Sequence, residues 1–114
     1  MNIEILEANQ FPLAARFYKE TRYGGKPGRE ETVYVTRNPS GAIIACVRLQ
    51  PREEGYFLRA LVVASEERGQ GRGQAFLDGV CRELGEQPIW CFPYRWLEPF
   101  YARSGFKLVD TLAS

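Results

Sequence analysis

Leu58-Arg59-Ala60-Leu61-Val62-Val63-Ala64-Ser65-Glu66-Glu67-Arg68-Gly69-Gln70-Gly71-Arg72-Gly73-Gln74-Ala75-Phe76-Leu77 decides the fold of this chain. It starts as an apolar strand, interrupted only by Arg59, and crosses a short acidic turn into a run in which glycine alternates with Arg68, Gln70 and Arg72. Beyond it, Ala75, Phe76, Leu77, Val80, Cys81 and Leu84 fall at helical spacing. Backbone N–H groups at a helix start have no internal partner and carry the positive end of the helix dipole. Glycines remove the side chains that would hold an anion away from them. A strand, a glycine turn and a helix in this order form an anion cradle suited to a diphosphate, and Arg68 and Arg72 add charge there.

Two nucleotide motifs do not fit. A P-loop needs Gly-Lys-Ser/Thr, which does not follow here. The dinucleotide fingerprint needs Gly-x-Gly-x-x-Gly and an acidic residue closing a second strand; here the spacing is Gly69-x-Gly71-x-Gly73, and Glu83 lies inside the helix. A glycine-rich connection that only turns the chain is the remaining structural reading.

Outward from this unit, Asn2 to Glu7 roughly alternate and read as a strand. Pro12 starts a helix over residues 11–22, with Leu13, Phe17, Ala14 and Tyr18 at four-residue spacing. Three strands follow, over Thr32–Thr36, Ala42–Leu49 and Tyr56–Val63, joined by turns at 38–41 and 51–55. After the central helix, Gly85 and Pro88 stop the chain. A short strand over Ile89–Phe92, a helix over Leu97–Arg103 and a last strand over Phe106–Val109 complete the order β-α-β-β-β-α-β-α-β. Consecutive strands imply antiparallel hairpins, and the later strand-helix-strand unit implies a parallel crossover. This is an α/β (mixed α+β) chain, expected to form one domain over residues 1–114.

Composition narrows the function. Apolar residues are 45% of the chain, enough for a real core, and the formal charge of +1 argues against a nucleic-acid binder with a large electrostatic footprint. The three cysteines, Cys46, Cys81 and Cys91, are odd in number and irregular in spacing, so no disulfide framework is implied. The N-terminus lacks a signal-peptide pattern and no apolar run could span a membrane, so a cytoplasmic setting is expected. With no histidine, Ser-His and Cys-His nucleophile pairs and His-rich zinc sites are excluded, and no metal is expected.

Arg68-Gly69-Gln70-Gly71-Arg72-Gly73, directly after Leu61-Val62-Val63, resembles the signature of the GNAT superfamily of N-acyltransferases, Gln/Arg-x-x-Gly-x-Gly/Ala. Leu97 to Phe106 resembles that family's late helix, which ends in Tyr-x-x-x-Gly-Phe; here this is Tyr101 to Phe106. The resemblance covers residues 42–109 well and the N-terminal part only by topology. It implies a mixed, largely antiparallel sheet of about six strands with helices on both faces. It implies acetyl-CoA as co-substrate, its pantetheine arm paired with Leu61, Val62 and Val63, and its pyrophosphate held from Arg68 through Gly69, Gln70, Gly71, Arg72 and Gly73 to Gln74. Tyr101 would protonate the departing thiolate, a role open to a phenol of pKa about 10. The acceptor would be an amine, attacked upon directly; Cys81 and Cys91 lack an activating base for a covalent route.

The sequence departs from the family at several points. The strand before the glycine turn lacks the carboxylate base often found there; the nearest carboxylates are Glu53 and Glu54 in the preceding turn. Tyr94 stands where the family often has an asparagine against the pantetheine arm, within a segment whose Phe92 and Trp96 also read as core or rim packing. Arg59 either binds an acidic group of acceptor or cofactor, or pairs with Glu53, Glu54 or another carboxylate. The short C-terminal part leaves a sheet edge, which we expect a second subunit (a homodimer) or the chain terminus to cover. A non-catalytic acyl-CoA-binding regulatory or interaction module is the rival reading.

Overall fold

The computed structural model describes residues 1–109. Five strands form one sheet in chain order: β1 (Glu4–Leu6), β2 (Thr32–Arg37), β3 (Ile43–Arg52), β4 (Gly55–Val63) and β5 (Ile89–Trp90). The first four pair antiparallel; β5 joins β4 in parallel after the crossover helix. The helices are α1 (Phe11–Glu20), α2 (Arg72–Leu84) and α3 (Glu98–Arg103).

The alternation of the strands divides the core in two. On one face, Ala14, Phe17 and Tyr18 of α1 pack on Val33, Val35, Ile44, Cys46 and Val62. On the other, Phe76, Leu77, Val80 and Leu84 of α2, with Tyr101 of α3, pack on Tyr34, Ala45, Val47, Leu49 and Leu58. Phe76, Leu77 and Val80 are fully buried, each contributing about 1.5–3 kcal/mol of hydrophobic stabilisation. The helices therefore cover both faces of the sheet.

The last strand expected from the sequence does not form. Residues 106–109 have no regular structure, and among the described residues the sheet has five strands rather than about six. The reason lies in the preceding turn. Gly105, at φ +97°, ends α3, the Phe106 N–H bonds back to the Tyr101 carbonyl, and the Phe106 ring packs on Tyr101. The segment beyond the turn pairs with no strand, and Leu108 is 81% exposed. β5 is likewise two residues long, against the four expected.

One irregularity was not legible in the sequence. Between Val62 and Arg59, β4 advances three residues while β3 advances two, from Cys46 to Arg48. This is a β-bulge, and Ala60 within it has φ +58°, uncommon for a residue with a Cβ. The Tyr18 hydroxyl, reaching from α1, donates a 2.7 Å hydrogen bond to the Ala60 carbonyl. Replacing Tyr18 with Phe should leave that carbonyl without its partner and cost about 1–3 kcal/mol in urea unfolding.

Burial also predicts behaviour in base. Desolvation raises the Cys46 thiol from its ordinary 9.0 to about 11, and raises the Tyr18, Tyr34 and Tyr101 phenols above 10.0. A group whose folded pKa exceeds its unfolded value contributes stability that is complete below the unfolded pKa and is lost as pH rises toward the folded one. Denaturant midpoints should therefore hold to about pH 9 and fall between pH 9 and 11. Constant stability through that window would contradict the burial of these groups.

Candidate active site

The bulge lies just beyond the point where β4 loses its second neighbour. β4 and β5 pair only at Tyr56–Ile89 and Phe57–Trp90; past Phe57 they separate. Leu61, Val62 and Val63 consequently keep their β3 ladder on one side, through Val62–Cys46 and Val63–Ala45, and have no strand on the other among the described residues. A strand edge of this kind offers alternate N–H and C=O groups to any extended chain of amides.

The glycine turn completes the opening. Gly69 (φ +79°) and Gly71 (φ +74°) are left-handed, so the chain reverses there without the strain a Cβ would bring. Gly71 is the residue from which α2 starts. The backbone N–H groups of residues 69–74 make no hydrogen bond among the described residues; the first amide bonded inward is that of Ala75, to the Gly71 carbonyl. At Gly73 the need is for close approach: a Cβ would lie 3.3 Å from Val63 Cγ2 and 3.5 Å from Phe100 Cε1.

Strand edge, glycine turn and α3 enclose a cleft of about 710 Å³. Leu61, Val62, Val63, Arg68, Gly69, Gly71, Arg72, Gly73, Gln74 and Tyr101 all line it. Arg22 and Arg103 join Arg68 and Arg72, and no carboxylate among the described residues lines the cleft, so a chain of net charge +1 concentrates four arginines at one opening. Arg72 is held by Glu67 at 2.6 Å, and Arg68 Nε donates to the Val63 carbonyl at 3.1 Å.

Tyr101 is 8% exposed, with its ring edge-on to Phe100 and Phe106. Burial, then the neighbouring Cys91 and Tyr23, push its phenol well above the usual range. Its hydroxyl makes no hydrogen bond among the described residues, and none of their unpartnered polar side-chain atoms is sealed from solvent. The hydroxyl therefore has access to solvent, and Tyr101 is among the residues that line the cleft. The Gln74 side chain fixes this geometry by donating to the Phe100 carbonyl at 2.9 Å and bonding Ser104 Oγ, which ties α3 to the start of α2.

Several sequence-stretch candidates lie elsewhere. Gln70 is outside the cleft lining and accepts from Arg72. Tyr94 does not reach the cleft; it is 68% exposed and stacks on Trp96 at 4.7 Å. Phe92 and Trp96 are exposed, not core. Glu53 and Glu54 sit in the exposed turn between β3 and β4. Arg59 is exposed and forms no ion pair with them or with any described residue. Neither Cys81 nor Cys91 lines the cleft, and burial, then Cys81, pushes the Cys91 thiol up to about 11. No described group of His, Cys, Asp and Glu is arranged to hold a metal. No helix of the described residues is long and apolar enough to cross a membrane.

The sequence reading missed Thr21, Arg22, Tyr23, Phe100 and Arg103, which line the cleft. Arg103 follows Tyr101 by two residues in the quoted motif and could have been found there; Arg22, at φ +62° after α1, leaves no sequence signal.

A family model described as an acetyltransferase (GNAT) domain matches residues 29–108. No curated protein matches the sequence. Among solved structures, a GNAT-family acetyltransferase from Streptococcus pneumoniae superposes with a TM-score of 0.75 at 16% identity, over 99% of this chain and 94% of that one. The ribosomal-protein-S18-alanine N-acetyltransferase of Escherichia coli gives 0.69 at 19% identity, over 96% and 79%. A Clostridium acetobutylicum protein described as an acetyltransferase, solved with acetyl-CoA, gives 0.68 at 14%, over 99% and 94%.

Proposed function

Since the chain belongs to the GNAT acetyltransferase family, we propose that it moves an acetyl group from acetyl-CoA to an amine by direct attack. The observation that supports this reading is one cleft lined by Leu61–Val63, by Tyr101 and by Gly69 and Gly71 to Gln74, whose amides make no hydrogen bond among the described residues. The amides and four arginines suit the phosphates of coenzyme A. The strand edge suits the amides of its pantetheine arm.

The amine lone pair attacks the thioester carbonyl carbon, and the oxyanion that develops is met by backbone N–H at the end of Leu61–Val63. The C–S bond then breaks. Tyr101 gives its proton to the leaving sulfur, and the proton released by the acetylated nitrogen restores the phenol through water. The products are an acetamide and the free thiol of coenzyme A. With no carboxylate among the described residues that line the cleft, the acceptor reacts as the neutral amine or through a water relay.

That missing carboxylate also favours the second reading, a non-catalytic acyl-CoA-binding module. Thiol release with and without an amine panel separates the two. The enzyme reading expects amine-dependent thiol release, equal in amount to acetamide, and no acetylated protein by mass with acetyl-CoA alone. Tight acetyl-CoA binding without thiol release would support the binding module.

A further inference from the structure

On the α1 face, Arg48 of β3 and Arg59 of β4 are directly paired across the ladder. Like charges directly opposite each other destabilise a sheet. Only one of them is compensated. Arg48 is 12% exposed in its side chain and forks onto Glu31, with Nε at 2.9 Å and Nη2 at 3.4 Å, over the Tyr18 ring and against the glycine loop at Gly25. Arg59 is exposed and has neither an ion pair nor a side-chain hydrogen bond among the described residues.

Arg59 also occupies a particular place. Phe57 is the last β4 residue paired with β5, so Arg59 stands at the vertex where the strands part. It is outside the arginine-lined cleft and on the opposite face of the sheet from α2. Phe57, with Phe92 against it at 5.2 Å, flanks it. Leu61 is two residues further along β4, just across the bulge at Ala60. An unpaired guanidinium thus stands two residues from the open strand edge.

We propose that the acceptor is an amino carboxylate, a free amino acid whose carboxylate is bound by Arg59 at the vertex of the opening between β4 and β5. The assignment rests on the acetyl-transfer reading above and names the acceptor of that site. A guanidinium takes a carboxylate through two parallel hydrogen bonds, so a methyl ester of the same amine should bind poorly.

The test pairs free amino acids with their methyl esters, using acetyl-CoA as donor, for the native chain, Arg59→Gln and Arg59→Lys. Acetyl-CoA affinity is measured in parallel by titration calorimetry. The native chain should favour the best free acid over its ester by roughly ten- to hundredfold in kcat/KM. Arg59→Gln should bring the ratio close to one, Arg59→Lys should restore part of it, and acetyl-CoA affinity should stay the same in all three. Equal use of acid and ester, a preference that survives Arg59→Gln, or acetyl-CoA binding with no transfer to any free amino acid would overturn the acceptor assignment alone. Failure of the native chain to bind acetyl-CoA would overturn the transfer reading and this assignment with it.

Discussion

Tyr101→Phe should lower kcat by about 10²–10⁴ while leaving acetyl-CoA affinity within about twofold. Both halves follow from the geometry. The ring holds its place by packing between Phe100 and Phe106, which phenylalanine can do equally well. The hydroxyl has no bond to lose among the described residues, so stability should barely change. What disappears is the only proton donor among the cleft residues placed in the reaction. Its raised pKa keeps it protonated at neutral and mildly basic pH, so the native rate should rise with pH as the amine loses its proton, with no fall from Tyr101 below pH 10. Steady-state kinetics over pH 6 to about 10 and calorimetry of the variant check this. A variant with native kcat would remove Tyr101 from the mechanism.

Gly73→Val should have the largest effect on binding, weakening acetyl-CoA by about a hundredfold or more, as expected for the loss of two charge-assisted hydrogen bonds. A single Cβ at this position already lies 3.3 Å from Val63 and 3.5 Å from Phe100. A branched side chain must push the start of α2 away from β4 and α3, at about 1–3 kcal/mol of overpacking. The movement displaces the amides of residues 69–74 and strains the Gln74 tether to α3. Circular dichroism and a melting curve would show that the chain still folds, and calorimetry would measure the affinity. Native affinity in a folded variant would show that the glycine turn does not hold the ligand.

The most legible parts of the sequence were those with local physical causes. Glycines alternating with arginine between an apolar strand and an amphipathic helix identified the turn, because positive φ and unpartnered helix amides follow from residue type. The periodicity of α2 and the mixed sheet were legible for the same reason. The opening beside β4 was not. It adjoins a bulge at Ala60, an alanine at positive φ, whose displaced carbonyl is held by a tyrosine 42 residues away in sequence. No local pattern records such a contact. The strand expected over 106–109 shows the converse: its apolar residues suit a ladder, but after the turn at Gly105 they pair with no strand. Arg59 was recognised as a charge needing an explanation, yet only the register reveals that it faces a second arginine.

Calorimetric titration of the native chain with acetyl-CoA, with ATP and NAD as controls, tests the central claim most directly. The account predicts saturable binding of acetyl-CoA, weakened by added salt because the arginines of the cleft contribute, with much weaker binding of both controls. Absence of acetyl-CoA binding, or a preference for ATP or NAD, would contradict it.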